Sequence, residues 1–336
     1  MIHWRSRAVT LVAAAVAVGL AAAPASAAAS GTFTATGSMH AAHPQGKATL
    51  LQNGQVLITG ATSGGGAPAL PSPEVYNPAA GTWAVTGQMN TPRIDATATL
   101  LPDGQVLVAG GSGGNSNALK SAELYNPAAG TWSVTGSIHQ GRSGLNGAGA
   151  SATLLSDGQV LIAGGEDANF NLLSSAELYN PATGKFTPTG SMSAPRGGNV
   201  GTLLPDGDVL VTQGAPAFAE RYHPATGRWS NASTGLAACI STMECRMFST
   251  ATLLPTGNVL VAGGLVGLVS NPQTTPSAIL YHPDTNTWTS TGNMTTGREN
   301  QTATLLPGGQ VLMAGGTLFD HPHAPVFLAS AELYTP

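Results

Sequence analysis

Arginine is the residue whose type and spacing most suggest chemistry. Arg93, Arg196, Arg246 and Arg298 each stand six residues before a recurring threonine, at Thr99, Thr202, Thr252 and Thr304. Arg142 precedes Thr153 by eleven, across a Gly-rich insertion, and His43, with His40 close by, takes the matching place in the first copy. Guanidinium groups gathered at one place would offer paired donors to a carboxylate or phosphate. Acids stand beside several of them: Asp95 near Arg93, Glu244 near Arg246 and Glu299 beside Arg298. Such pairs suit a site that holds an anion and moves a proton. Asp320, His321 and His323 form the one short group with metal-ligand character, for Zn²⁺ or Cu²⁺. Glu166 and Asp167 could help hold a cation. No Gly-x-Ser-x-Gly elbow, Walker loop or His-Glu-x-x-His is present, so those reaction classes have no support.

What positions these residues is a repeat. Leu-Leu-x-x-Gly-x-Val-Leu recurs six times, with its glycine at Gly54, Gly104, Gly158, Gly207, Gly257 and Gly309. Each copy runs on to a Gly pair or its remnant, then Ala-Glu-Leu-Tyr-Asn-Pro, Gly-Thr-Trp and Thr-Gly-x-Met. Four short β-rich runs per copy, joined by Pro-Asp-Gly and Asn-Pro-Ala-x-Gly turns, predict four antiparallel strands. A four-stranded unit of about 50 residues, repeated, predicts a propeller blade.

The order of Gly pair, Tyr-x-Pro, Trp, Met and Arg resembles the kelch repeat. The version LLPDGQVLVAGG with AELYNPATG is similar to secreted bacterial kelch proteins and to the propeller of galactose oxidase. The resemblance covers nearly all of the chain after residue 27. It implies an all-β, six-bladed kelch-type β-propeller of four-stranded antiparallel blades. The last copy ends at Ala331 to Pro336 without a fourth strand, and Gly31 to Met39 reads as a fourth strand alone. Residues 31–39 are therefore expected to complete the last blade, the N-terminal strand joining the C-terminal one and closing the ring.

Strand alternation puts the two short turns on one face. The long, variable loops and the arginines fall on the other, where specificity resides in such scaffolds. Five arginines on a six-fold ring would then encircle the mouth of the central channel. The alternative is structural. Glu74, Glu123, Glu177, Glu220 and Glu332 recur at one third-strand position, with Ile279 the exception, and Arg and Glu could pair between blades. The six tyrosines share one position. Trp83, Trp132, Trp229 and Trp288 share another, with Phe186 and Phe33 filling it in the other blades, so these rings read as packing.

The copper-radical chemistry of galactose oxidase needs a Tyr-His pair before a first strand. The matching pairs here include Ile94-Asp95, Gly197-Gly198 and Met247-Phe248, so the copper site is not expected and no cofactor is implied. Cys239 and Cys245, the only cysteines, are expected to form a disulfide in an exported chain.

Residues 1–27 have the layout of a secretory signal peptide: Arg5 and Arg7, an uncharged apolar run, then Ala25-Ser26-Ala27. Cleavage near Ala27 would leave 28–336 as a single secreted propeller, with ten basic residues against 16 acids. The acidic balance argues against nucleic acid, and no later run is long enough to span a membrane. Three functions remain. The first is an extracellular binding module for an anionic small molecule or an acidic peptide or protein partner. The second is an enzyme such as an acidic-sugar mutarotase or epimerase. The third is an envelope scaffold.

Overall fold

The computed structural model describes residues 40, 47–60, 72–77, 79–113, 117–144, 149–212, 219–232, 248–266, 273–299, 301–305, 309–314, 317–320, 326–328 and 331–336. Every regular element among them is a β-strand, and no helix is long and apolar enough to cross a membrane. Six sheets follow one another along the chain, five of four antiparallel strands and the last of three. Two small two-stranded ribbons sit in the loops of the fifth and sixth copies.

Sheet two shows how local chemistry makes the unit. Thr97–Leu100 turns into Val106–Ala109, and Ser121–Asn126 into Thr131–Ser137. In the first turn the Asp103 side chain accepts from Gln105 N at 3.0 Å, and Gly104 takes a φ of +86°, which only glycine adopts freely. In the second, Asn126 Oδ1 accepts from Ala128 N and Ala129 N. The second strand, Val-Leu-Val-Ala, is buried throughout because a blade on each side covers its two faces.

The core lies between consecutive sheets. Leu51, Leu57 and Met89 of the first copy pack on Val106, Val108 and Tyr125 of the second. Rings pair across the third and fourth strands, as Tyr125 with Trp132 at 5.0 Å between centroids; the Tyr–Trp pair recurs in sheets one, four and five, and sheet three pairs Tyr179 with Phe186. The rings also tie blades together. Tyr125 Oη lies 2.7 Å from Thr86 Oγ1, and Trp132 Nε1 donates to Gly87 O at 2.8 Å. A Cβ on Gly87 would fall 2.1 Å from Gly130 O, and Gly136 and Gly190 are as tightly placed, which is why the first three copies close on Thr-Gly.

First strands of neighbouring sheets lie side by side, Lys47–Leu50 beside Thr97–Leu100, that beside Ser151–Leu154, and so on to Thr302–Leu305. They gather around a common axis, with later strands outward. In sheet six Tyr334 bonds Thr291 Oγ1 at 3.0 Å, as Tyr125, Tyr179 and Tyr222 bond their threonines, and a cavity of about 310 Å³ opens beside it against Gly292 and Met294. The segment expected to complete the blade, 31–39, lies outside the described residues, as does the leader.

Candidate functional site

Four of the expected anion-binding arginines are turned inward. Arg93, Arg142, Arg196 and Arg298 have side chains at most 1% exposed. Arg93 donates to Gly110 O and Ser121 O at 2.9 and 2.8 Å, and to Glu123 Oε1 at 2.9 Å. Arg142 repeats this with Gly164 O, Ser175 O and Glu177 Oε1. Arg196 reaches Glu220 Oε1 at 2.7 Å and Arg298 reaches Glu332 Oε1 at 2.8 Å. Their place in the repeat, just before a first strand, is as expected. The direction of the side chain is not, because a buried third-strand carboxylate claims it.

The pairing is within a blade rather than between blades. Each arginine arrives on the segment from the preceding blade and meets the glutamate of the sheet it is about to enter. The same carboxylate also accepts backbone donors of that segment, as Glu123 does from Asn90 N at 2.7 Å and Thr91 N at 2.9 Å. Burial pushes the Glu123 carboxyl up, but Asn90, Arg93 and Thr91 together more than offset this and hold it below its ordinary value. Glu177 is held down in the same way by His139, Arg142 and Gln140, and Glu332 by Thr295, Thr296 and Arg298. Burial in turn pulls the guanidinium groups of Arg93, Arg142 and Arg196 below their usual value. In sheet one His40 caps Glu74 from N and Nδ1, both at 2.9 Å.

On the axis, at the end where the first strands begin, a cavity of about 430 Å³ opens. Its wall includes Lys47, Asp95, Asn199, Phe248, Thr250 and Gln301, drawn from five of the six copies. Asp95, Gly149, Gly198 and Phe248 occupy one repeat position there. These are described members of the pairs compared with Tyr-His, and none is a copper ligand set. Asp95 and Phe248 both carry positive φ, +51° and +59°. Burial raises the Asp95 carboxyl, and Lys47 draws it partly back. Burial also raises Glu299, whose backbone is bridged to Thr317. Glu166, on the same loop side in sheet three, is raised by burial, Asp167 and Asp95.

Sequence reasoning missed Asn199 and Gln301. Each stands three residues before a repeat threonine and sends its amide nitrogen to the preceding sheet, Asn199 to Ala163 O at 3.2 Å and Gln301 to Ala262 O at 2.8 Å. The amide at a fixed repeat position was the signal that could have found them. Asp320 is exposed, while His321 and His323 lie outside the described residues, as do His43, Cys239, Glu244, Cys245 and Arg246. Among the described residues no three His, Cys, Asp or Glu side chains gather as a metal site would need.

No curated protein matches the chain. A family model described as Kelch motif matches residues 97–137. That stretch is the whole of sheet two, from the first residue of its first strand to the last of its fourth. Kelch repeats build propellers that serve as interaction modules. The sheet so matched recurs around the axis, and the fold of this chain is that of a kelch-type β-propeller.

Proposed function

We propose that this chain is an extracellular binding propeller, exported by the leader at 1–27, whose ligand enters the axial cavity from the loop face. The observation that carries the reading is the cavity wall. Asp95 Oδ2, Asn199 Oδ1 and Gln301 Oε1 are buried there without a hydrogen-bond partner. Buried polar atoms are normally satisfied, and a group of orphans around one opening marks a place kept for something else. Four of the arginines that suggested an anion serve the blades. Lys47 is the cation that remains in the described wall, so an acidic group of the ligand would lie at Lys47.

A second reading has its own observation. Asp95 and Glu299 are carboxyls raised by burial on the loop side, which suits proton transfer at neutral pH and hence a sugar mutarotase or epimerase. Anomer exchange of acidic sugars no faster than the spontaneous rate removes this reading.

The test of the first is a thermal-shift panel on the exported chain, with acidic and neutral sugars, nucleotides, acidic and basic peptides and divalent metals. A ligand at about 100 times its Kd stabilises by about 2.7 kcal/mol. A Cβ on Gly149, which lines the cavity, would meet only ordinary contacts, with Gly144 Cα at 3.8 Å and Asp95 O at 3.9 Å, so Gly149→Phe obstructs the site. A hit lost in Gly149→Phe supports the cavity. Silence across the panel leaves the scaffold function.

A further inference from the structure

Most buried carboxylates of this molecule come with a donor set. Three on the loop face, Asp95, Glu166 and Glu299, do not, and the first two lie together. Asp95 lines the axial cavity with Oδ2 buried and unpartnered. Glu166 is 8% exposed, and its Oε2 is also buried and unpartnered. One segment brings them together. Ser143 and Glu166 exchange main-chain hydrogen bonds of 2.7 and 3.0 Å. The adjacent Gly144 lies so close to Asp95 that a Cβ there would come within 3.1 Å of the Asp95 Cβ. Asp167 stands apart in role: its exposed carboxylate is taken by Asn169 N, Asn171 N and Asn171 Nδ2 of its own loop.

The wall gives an independent observation. Asn199 is 6% exposed and Gln301 5% exposed. Because their nitrogens must donate to the carbonyls of Ala163 and Ala262, their oxygens are the ends left over, and neither oxygen meets a donor. The unpartnered oxygens of Asp95, Asn199 and Gln301 on the cavity wall are thus acceptors, and a ligand rich in N–H groups is what they lack.

We propose that the axial cavity receives an organic cation, a guanidinium or primary ammonium, at Asp95, with the charge of Glu166 close behind it and the amides of Asn199 and Gln301 elsewhere on the same wall. The proposal rests on the axial cavity being the ligand site. A guanidinium carries five donors in a planar fork and forms charge-assisted bonds to carboxylates, so it would give Asp95 the donor it lacks and offset the nearby charge of Glu166. Burying like charges with too little counter-charge is costly, and among the described residues Lys47 is the only cation that acts on Asp95. No third carboxylate, His or Cys joins the pair among the described residues, which favours an organic cation over a bare metal ion.

The experiment is calorimetric titration of the exported chain with arginine amide, lysine amide and citrulline amide, the last a neutral match in shape. The wild type should bind at least one of the two cations and not citrulline amide. Asp95→Asn and Glu166→Gln should each weaken that binding at least tenfold, while melting no lower than wild type at neutral pH. Cation binding that survives in the double variant overturns the proposal. So does wild-type protein that binds neither cation. In that case a neutral or acidic panel ligand lost in Gly149→Phe leaves the cavity reading standing. Stabilisation by Ca²⁺ alone, absent in Glu166→Gln and with no response to either amide, also overturns it.

Discussion

Two sets of carboxyl groups share this molecule and meet opposite fates. The third-strand set, Glu123, Glu177 and Glu332, is held below its ordinary value by an arginine and by backbone donors of the incoming segment. The loop-face set, Asp95, Glu166 and Glu299, is pushed up by burial. Each set has buried members, Glu123 and Glu177 in one and Glu166 and Glu299 in the other, so depth alone does not separate them. The difference is whether the repeat brings a cation with the acid. Where it does, the carboxylate fastens one blade to the segment that leads into it. Where it does not, the charge is left to something outside the chain.

The largest effect should come from breaking a fastened pair. Arg93→Met leaves Glu123 buried without its cation, and losing one partner of a buried pair costs about 3–5 kcal/mol. Replacing both, Arg93→Met with Glu123→Leu, should recover part of the loss, because the charge is no longer left unpaired while the backbone donors of Asn90 and Thr91 lose their acceptor. Urea unfolding of the three proteins measures it. Equal stability of Arg93→Met and wild type would mean that the backbone donors of Asn90 and Thr91 alone hold the carboxylate.

That pairing also marks the limit of what the sequence shows. Six copies of one phrase were enough for the strand order, the turns and the Tyr–Trp contacts, because periodicity two and turn chemistry are local. Arg93 and Arg142 were placed correctly along the chain, before their first strands. Which way they point depends on Glu123 and Glu177, some 30 residues later, and on how the blade folds back over the segment. The cavity was legible only in part. Asp95 was singled out because it stands near Arg93, yet it matters for lying near Glu166, a neighbour that only the packing of Gly144 reveals. Asn199 and Gln301 carry no motif, and their free oxygens follow from where their nitrogens must donate.

The next effect is smaller and of opposite sign. A carboxyl raised in the folded state lends stability below its unfolded value, and that stability is lost as pH rises through the folded pKa. The ordinary values are 3.8 for Asp95 and 4.5 for Glu166. At neutral pH the wild type therefore bears the penalty of both charges. Asp95→Asn with Glu166→Gln should raise the Tm at pH 7, and the gain should shrink as pH falls toward the ordinary carboxyl range. Glu123, Glu177 and Glu332 run the other way: their stabilisation is present above the unfolded value and is lost as pH falls through the folded pKa. A double variant less stable than wild type at pH 7 would place Asp95 and Glu166 with the fastened set.

The smallest effect should come from the exposed partners of the fastened set. His139 lies 2.7 Å from Glu177 Oε2 through Nδ1, but its side chain is 59% exposed. An ion pair open to water contributes about 0–1 kcal/mol. The main-chain nitrogen of the same residue gives Glu177 two contacts of 3.0 Å, and no substitution short of proline removes them. The repeat bears this out: Asn90, Ser193 and Thr295 take the place of His139 in sheets two, four and six, and each keeps its backbone donor on the glutamate. His139→Ala should accordingly lower stability by less than about 1 kcal/mol, against the several lost when Arg142 is replaced. If the two substitutions prove equal by urea unfolding, the buried guanidinium is not what distinguishes the third-strand carboxylates from those at the cavity.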